Sequence, residues 1–221
     1  MIRLENLSKT YTTGGVATEA LKNVSLEIGE GDYVAVMGTS GCGKSTLLNI
    51  IGCMDSPSDG SYLFQGQAVH EMSMKELHLF RKKHISFVFQ NFALLNLYTV
   101  FENTELPLIA QGISAKKRKQ MVLKILEEVG IADLKDKYPV HISGGQQQRA
   151  AIARALVSGH ELILADEPTG ALDRKTSEEV MNLLDSVNAA GKTIILVTHD
   201  AEVARHAKRT IYLDDGVIRE K

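Results

Sequence analysis

Short runs of apolar and β-branched residues recur along the chain and predict the strands of a sheet. Three of them, Tyr33–Met37, residues 162–165 and Thr193–Val197, are apolar at successive positions rather than at alternate ones. That pattern is typical of a strand buried on both faces, so these runs are the best candidates for a central parallel sheet. Further strands are predicted at residues 24–28, 61–64, 85–89 and 210–213.

Helical patterns lie between these runs. Two segments space four apolar residues at i, i+3, i+4 and i+7, which is the pattern of one buried helix face, and a glycine then predicts each helix end. From about residue 95 to residue 157 the pattern is almost entirely helical, which predicts a helical subdomain inserted in an α/β core. The charged run at residues 116–119 favours a solvated face over a binding patch. The two segments are Val122, Ile125, Leu126 and Val129 before Gly130, and Val180, Leu183, Leu184 and Val187 before Gly191.

Composition and charge narrow the class of protein. The 221 residues are 44% hydrophobic and 24% charged, as in a globular protein and unlike a disordered, collagenous or coiled-coil chain. The formal net charge of −2 supplies no global attraction to nucleic acid or anionic lipid. Two cysteines, Cys42 and Cys53, form no disulfide framework, and no apolar run reaches the roughly 20 residues of a membrane helix. We expect a cytoplasmic chain that reaches a membrane only through a partner.

A glycine-rich loop follows Tyr33–Met37 and precedes a helix-compatible run at residues 47–51. Its glycines let successive backbone N–H groups turn inward around phosphate oxygens, and the following helix adds the positive end of its dipole. Lys44 is placed to neutralise the β- and γ-phosphates, and the Ser45 hydroxyl to bind Mg²⁺. In this strand–loop–helix context the pattern predicts a nucleoside triphosphate site rather than a turn without a ligand. The loop residues are Gly38, Thr39, Ser40, Gly41, Cys42, Gly43, Lys44, Ser45 and Thr46.

Polar side chains follow two of the predicted central strands. Asp166 and Glu167 end the apolar run at residues 162–165, and His199 follows Thr193–Val197. Ligands of open α/β sheets gather at the C-terminal strand ends, so these side chains should face the phosphates. Asp166 suits the Mg²⁺ shell, and Glu167 can polarise an attacking water as general base. His199 is placed to contact a γ-phosphate and to hold that water.

A second helix start also suits an anion. Ser143, Gly144, Gly145 and Gln146 lead into an alanine-rich helical run, which places a hydroxyl and exposed N–H groups at a helix N-terminus. A helix cap without a ligand is the alternative interpretation. Because one nucleotide does not obviously need two such starts from one molecule, we expect a head-to-tail dimer. Each ATP would then lie between the phosphate loop of one chain and the serine-glycine turn of the other.

These motifs, in this order, resemble the ATP-binding subunits of ABC transporters, and the resemblance covers essentially the whole chain. Residues 142–146, Ile-Ser-Gly-Gly-Gln, are similar to the family signature LSGGQ, with Ile replacing Leu, and Cys42 stands where Ser or Ala is usual. The resemblance implies the P-loop NTPase fold: a central, mainly parallel sheet, an antiparallel β subdomain and an inserted α-helical subdomain. It implies one ABC ATPase domain over residues 1–221. The nucleotide-binding core would span 1–94 and 159–221, and the helical subdomain about 95–158.

The resemblance also implies an activity and further site residues. The activity is ATP hydrolysis coupled to transport, with ATP and Mg²⁺ as cofactors. Tyr11 matches the aromatic residue that stacks on adenine, and Gln90 matches the glutamine that reaches the Mg²⁺ and the attacking water. Asp173 matches the loop that crosses the dimer. Ser143 and Gln146 would contact the γ-phosphate region of the partner chain's nucleotide.

Finer features resemble one branch of the family. Residues 49–55, 105–108 and 146–149 look like those of the macrolide-exporter and lipoprotein-release group. The resemblance implies two copies on a permease dimer, at the inner face of the cell membrane, serving the export of drugs, peptides or lipoproteins or mechanical work outside the membrane. No nucleic-acid partner is expected.

Other functions share part of this pattern. A soluble ABC ATPase of DNA repair or chromosome maintenance requires a long coiled-coil insertion or a basic surface, and the sequence shows neither. A ribosome-binding ABC protein normally carries two cassettes, and a small-molecule phosphotransferase lacks the serine-glycine turn. A cell-division cassette, which moves an extracellular hydrolase regulator, keeps every motif and differs only in its permease.

Overall fold

A computed structural model describes residues 1–219 of the chain and contains two β-sheets and seven α-helices in that range. Two short 3-10 helices, Ala132–Leu134 and Pro139–His141, precede the fifth α-helix. The strands are β1 (Ile2–Thr13), β2 (Val16–Ile28), β3 (Tyr33–Met37), β4 (Asp59–Phe64), β5 (Gln67–Ala68), β6 (Ile85–Phe89), β7 (Leu162–Asp166), β8 (Thr193–Val197), β9 (Arg209–Asp214) and β10 (Val217–Arg219). The helices are α1 (Lys44–Ile51), α2 (Met74–His84), α3 (Val100–Ala110), α4 (Ala115–Glu128), α5 (Gly144–Leu156), α6 (Arg174–Ala189) and α7 (Ala201–Ala204).

The larger sheet has the strand order β10-β9-β3-β8-β7-β6, and its strands pair in parallel except for β9 and β10. The register places Asp166 beside Phe89 on one side and beside Val197 on the other. The C-terminal ends of β3, β7 and β8 therefore meet at one edge of the sheet. The predicted central parallel sheet is confirmed.

The two faces of this sheet bury alternate residues of each strand. Val34 and Val36 face α1 and the smaller sheet, whereas Tyr33 and Ala35 pack with residues of α5, α6 and α7. The strands β3, β7 and β8 are buried at nearly every position. Because water reaches neither face, these strands are apolar without alternation.

The smaller sheet is antiparallel, with the order β2-β1-β4-β5. The sequence analysis missed β1, although Ile2 and Leu4 alternate with polar residues and are buried. The alternation breaks at Asn6, which has φ 48°, and the strand register shifts there so that Leu7 stays on the buried face. The predicted strand at residues 24–28 was too short, since β2 begins at Val16 in an exposed, polar extension that carries no burial pattern.

The segment between β6 and β7 is helical, as predicted. Helices α3, α4 and α5 surround a separate apolar core that includes Val100, Leu108, Val122 and Leu126. The lysines of the charged run at residues 116–119 are exposed in α4. The predicted nucleotide-binding core extends to residue 221, so its last two residues lie outside the described part of the chain.

Helix α2 was not predicted, because its apolar residues are few. The sequence nevertheless marks its start, since Ser73 and Glu76 have the spacing of a capping box. The Ser73 hydroxyl accepts from the Glu76 N–H, and the Glu76 carboxylate accepts from the Ser73 N–H. Leu77 and Phe80 are its buried residues. None of the helices found in residues 1–219 has both the length and the apolar character required to cross a membrane.

Candidate functional site

The loop after β3 has a backbone shape that only glycine permits. Gly41 and Gly43 have φ values of +79° and +104°, in the left-handed region. A Cβ on Gly38 would lie within 3.0 Å of the Leu213 carbonyl oxygen, and a Cβ on Gly43 within 3.0 Å of the Ala20 carbonyl oxygen. No described side chain caps the start of α1, so its first N–H groups are available to bind an anion such as phosphate.

Lys44 places a positive charge inside this loop. Its Nζ donates to the carbonyl oxygens of Gly38 and Thr39 at 2.8 and 2.7 Å, and the side chain is buried. A phosphate oxygen in place of these neutral acceptors would gain a charge-assisted hydrogen bond. The buried Cys42 lies below, with Sγ 3.9 Å from Nζ, and its carbonyl oxygen accepts from the Gly216 N–H. Cys42 therefore contributes its backbone and fills space.

A cleft of about 590 Å³ opens over the loop. Its lining joins the loop, including Ser45, to Asp166, Glu167 and His199. These groups come from the ends of β3, β7 and β8, which the parallel register brings to the same edge of the sheet. The phosphate loop, the carboxylates and the histidine predicted from the sequence thus lie around one space.

Glu167 is held in an unusual backbone conformation at this edge. Its φ of 45° is in the left-handed region, a strain of about 1 kcal/mol or more for a residue other than glycine. Its N–H donates to the Val197 carbonyl oxygen at 2.9 Å, which ties it to the end of β8. The His199 Nδ1 lies 2.8 Å from the Glu167 Oε1. With Glu167 ionised, Nδ1–H donates, so the carboxylate and the imidazole orient each other.

Asp166 is partly buried at the end of β7. Burial and the adjacent Glu167 charge raise the pKa of the Asp166 carboxyl, and the Lys44 charge opposes this only in part. A carboxylate whose charge is poorly compensated attracts a cation. A cation that arrives with the nucleotide would therefore be stabilised beside Asp166.

The donors at this edge fit a magnesium ion that arrives with phosphates. Mg²⁺ prefers oxygen ligands, keeps several waters, and binds through one or two protein groups together with phosphate oxygens. Ser45 supplies a hydroxyl oxygen and Asp166 a carboxylate oxygen. No cluster of three or more His, Cys, Asp or Glu side chains within residues 1–219 could hold a metal ion by itself.

Tyr11 lies outside the lining of the cleft, on β1, and a network of hydrogen bonds holds its ring. Its hydroxyl donates to Asp55 Oδ2 at 2.8 Å, and the Lys9 ammonium lies 4.9 Å from the ring centroid. Lys9 also donates to Asp55 Oδ1 at 2.6 Å and to the Ser56 carbonyl oxygen at 2.7 Å. Partial burial and the hydrogen bond to Asp55 raise the pKa of Tyr11, while a bond with Thr46, in the first turn of α1, opposes this.

The serine-glycine turn also stands apart from the cleft. The Ser143 hydroxyl accepts from the Gln146 N–H, and the Gln146 Oε1 accepts from the Ser143 N–H, so the two side chains form a capping box at the start of α5. Gly145 is buried against Thr176, where a Cβ would meet the threonine methyl within 3.0 Å. The starts of α1 and α5, both predicted to bind phosphate, therefore do not line the same cleft within one chain.

Asp173 and Gln90 have local partners as well. Asp173 is the N-cap of α6 and accepts from the Thr176 N–H and hydroxyl at 3.1 and 2.6 Å, and these bonds lower the pKa of its carboxyl. Gln90 follows β6, and its amide packs so closely on Gly170 that a Cβ there would lie 2.7 Å from Nε2. Gln90 is outside the cleft lining, next to the loop that carries Glu167.

Three residues near these sites were given no role of their own at the level of sequence. Asp55 and Lys9, which hold Tyr11, are 46 positions apart, so no spacing rule links them. Gln148 was used only as part of a family pattern. It is fully buried in α5 and donates to the Pro168 carbonyl oxygen at 2.6 Å. A polar residue on the buried face of an amphipathic helix was the available signal.

The glycine cradle between β3 and α1, the acidic end of β7 and the order of the parallel strands define a P-loop NTPase. The chain matches the ABC transporter family over residues 21–170. It is 45% identical over 221 residues to the macrolide export ATP-binding/permease protein MacB of Wolinella succinogenes. That alignment covers all of this chain and 34% of the relative. It is 48% identical over 218 residues to the uncharacterized ABC transporter ATP-binding protein YknY of Bacillus subtilis, covering 99% of this chain and 95% of that protein.

Solved structures give the same result. A dimeric post-hydrolysis state of the ATP-binding cassette MJ0796 bound to ADP and Pi superposes with a TM-score of 0.91 at 46% identity, covering 100% of this chain and 97% of that one. A second dimeric structure of MJ0796, a bacterial ABC transporter cassette, also has a TM-score of 0.91, at 47% identity and the same coverage. The chain spans about a third of the length of the macrolide exporters it matches. It belongs to the ABC transporter family, whose ATP-binding cassettes hydrolyse ATP, and the predicted family and fold are confirmed.

Proposed function

We propose that two copies of this chain enclose two ATP molecules and hydrolyse them to drive a membrane permease. One observation carries the proposal: the chain presents two helix starts suited to phosphate, and they do not share a cleft. A second copy placed head to tail would bring the Ser143–Gln146 turn of each chain over the phosphate loop of the other. The relatives described as dimeric cassettes support this arrangement.

The chemistry follows from the groups around the cleft. Lys44 would hold the β- and γ-phosphates, and Ser45 and Asp166 would hold Mg²⁺, which supplies neutralisation of the phosphate charge. Glu167 accepts a proton from water as the water oxygen bonds to the γ-phosphorus, and the bond to the bridging oxygen breaks to leave ADP and phosphate. His199 is hydrogen-bonded to Glu167 through Nδ1, which leaves Nε2 to contact the γ-phosphate of the nucleotide.

The variant Glu167→Gln tests this assignment. It keeps the shape of the side chain but accepts no proton, so we expect ATP binding to persist, hydrolysis to fall by roughly two orders of magnitude or more, and an ATP-dependent dimer to accumulate. Equilibrium titration with ATP, phosphate release and light scattering measure these three properties in turn. Lys44→Ala is the matched control and should lose ATP binding and the dimer together. Parent-rate hydrolysis by Glu167→Gln would show that another group is the base.

The helical subdomain has an apolar surface that suits a permease segment. Two backbone hydrogen bonds hold the start of α3 against residues 135–137, and this brings two exposed apolar segments together. Scattered apolar residues are normal on a protein surface, but a contiguous group marks a contact site. We propose that a cytoplasmic segment of the permease binds this surface, close to the loop of Gln90. Its exposed residues are Leu95, Leu97, Tyr98, Tyr138 and Val140.

Membrane recovery tests the permease partner. The tagged chain should co-purify from detergent-solubilised native membranes with a permease, at the inner face of the cell membrane. Leu97, 90% exposed, is the best position for disruption, so Leu97→Asp should lose the permease while hydrolysing ATP normally. Ile109→Asp is the matched control, since Ile109 is also an exposed apolar residue but lies near the C-terminal end of α3. Recovery of only soluble or nucleic-acid partners would contradict a transport role.

The relatives favour export as the role of the assembly. Several of them are named as macrolide export proteins, which fits the branch seen in the sequence and favours drugs, peptides or lipoproteins as cargo. The DNA-repair alternative gains no support from these relatives. A cell-division role shares every feature of the cassette, and the identity of the recovered permease separates it from export.

A further inference from the structure

Gln148 joins the helix that carries the serine-glycine turn to the loop that carries Glu167. It lies in α5, five residues after Ser143, and is fully buried. Its Nε2 donates to the carbonyl oxygen of Pro168 at 2.6 Å, across 20 positions of sequence. Within residues 1–219 its Oε1 has no hydrogen-bond partner.

Among the described residues, the hydrogen bond to Pro168 is the one that fixes the orientation of this amide. A carbonyl oxygen only accepts, so the Gln148 NH₂ group faces it and Oε1 points away into the packed interior. An apolar side chain of similar length would fill the same space without a buried oxygen that lacks a partner. The amide therefore contributes through its single donated bond rather than through packing.

Pro168 is directly bonded to Glu167 in a rigid turn. The Glu167 N–H donates to Val197, the Gly170 N–H donates back to the Glu167 carbonyl oxygen at 3.0 Å, and the Glu167 φ of 45° leaves little freedom. A shift of Pro168 as a whole is therefore passed to the Glu167 backbone, to which it is covalently bonded. Because reaction rates are sensitive to misplacement of about 1 Å, a small shift is enough to affect catalysis.

The start of α5 has a second contact with the same part of the molecule. Gly145 packs against Thr176, whose hydroxyl is held by Asp173 at the start of α6. The serine-glycine turn is thus packed on the side of Gly145, while Ser143 is exposed. A displacement of the turn is passed along α5 as a rigid element, since a helix bends little over one turn.

We infer that Gln148 is a positioning residue: from α5, the helix that begins at the chain's own serine-glycine turn, it holds Glu167 in place. This inference rests on the proposed function. In the head-to-tail dimer, the turn at Ser143 touches the nucleotide of the partner's site, whereas Glu167 acts in the chain's own site. Gln148 therefore couples the occupancy of one site to the position of the general base in the other.

The variant Gln148→Leu removes the donor and keeps the volume. We expect an ATP affinity within about twofold of that of the parent and a kcat reduced by about tenfold or more. The Hill coefficient for ATP should fall towards about 1. Thr104→Val is the matched control. Thr104 is fully buried in the same subdomain and also loses one hydrogen bond, to the Val100 carbonyl oxygen, but it is remote from Glu167. It should hydrolyse ATP at the parent rate.

A fusion of two copies locates the effect. One half keeps Glu167 and the other carries Glu167→Gln, so a single site hydrolyses ATP. Gln148→Leu in the half that keeps Glu167 should lower the rate, and Gln148→Leu in the other half, which lends its serine-glycine turn to that site, should not. Equal loss in both arrangements would mean that the substitution distorts α5, and would overturn the inference.

The outcomes separate this inference from the function on which it rests. Absence of ATP hydrolysis in the parent fusion would refute the proposed function and the inference with it. A parent that hydrolyses ATP, with a Gln148→Leu variant of equal rate or equal Hill coefficient, would overturn the inference alone. Thermal melts of each variant identify a general loss of folding, which would lower ATP affinity as well as kcat.

Discussion

Removal of the Asp55 carboxylate should weaken the binding of ATP without weakening the binding of its phosphates. Asp55 accepts from the Tyr11 hydroxyl, from the Lys9 ammonium and from the Ser56 N–H, at 2.6–2.8 Å. Burial alone would raise the pKa of Asp55, but the bonds from Lys9, Tyr11 and Ser56 outweigh it and hold the pKa below its ordinary value. The carboxylate is therefore charged at neutral pH and fixes the Tyr11 ring.

The size of the effect follows from the freedom that the ring would gain. The sequence resemblance implies that Tyr11 stacks on adenine. On that expectation, the half-exposed ring of Tyr11 loses its anchor in Asp55→Ala and must be ordered again when ATP binds. Ordering one such side chain costs about 0.5–1.5 kcal/mol, which raises the Kd for ATP about two- to twelvefold. The stacking contact itself, about 1–3 kcal/mol, sets the upper limit. Asp55→Asn keeps one oxygen and an amide that the Tyr11 hydroxyl can accept from, so its Kd should lie between those of the parent and Asp55→Ala.

Calorimetric titration without Mg²⁺ measures the two affinities, first with ATP and then with inorganic tripolyphosphate. The ATP affinity of Asp55→Ala should fall, and its tripolyphosphate affinity should match that of the parent. In a Tyr11→Phe background, which lacks the hydroxyl, Asp55→Ala should change the ATP affinity much less. Equal losses for ATP and tripolyphosphate would refute the reasoning, because the effect would then pass through the phosphate loop.

Two further predictions concern the serine-glycine turn and Asp166, the carboxylate proposed to bind Mg²⁺. Gly145→Ala should slow ATP hydrolysis, since its methyl group would meet Thr176. Adding Thr176→Ser should restore the rate, because it removes the opposing methyl group and keeps the bond to Asp173. A double variant as slow as Gly145→Ala would mean that the nucleotide, not the packing, requires glycine. Asp166→Asn should raise the Tm by a few degrees at pH 7 and abolish Mg²⁺-dependent hydrolysis. Burial and the Glu167 charge raise the pKa of Asp166, so the ionised carboxylate destabilises the folded parent. The Tm difference between Asp166→Asn and the parent should therefore shrink as the pH falls through that raised pKa. A lower Tm for the variant at pH 7 would contradict this reasoning.

Regular apolar runs predicted the parallel strands well, because burial on both faces leaves a pattern in contiguous residues. Strand β1 escaped prediction, since the positive φ of Asn6 shifts the alternation by one position. Helix α2 escaped as well, since it buries only Leu77 and Phe80, although the capping box at Ser73 marks its start. Elements with a weak buried face are thus found only when their end signals are considered.

The sequence by itself determined the phosphate loop, the acidic end of β7 and the start of α5. Each depends on the backbone geometry of a few neighbouring residues, such as the left-handed φ of Gly43, and only certain residue types permit that geometry. The tertiary structure alone decided that β3 lies between β8 and β9, that the turn at Ser143 stands outside the cleft, and that Asp55 reaches Tyr11 and Gln148 reaches Pro168. Gln148 and Pro168 are 20 positions apart, and Tyr11 and Asp55 are 44 positions apart. Such contacts depend on how whole elements pack, which no local pattern of residues encodes.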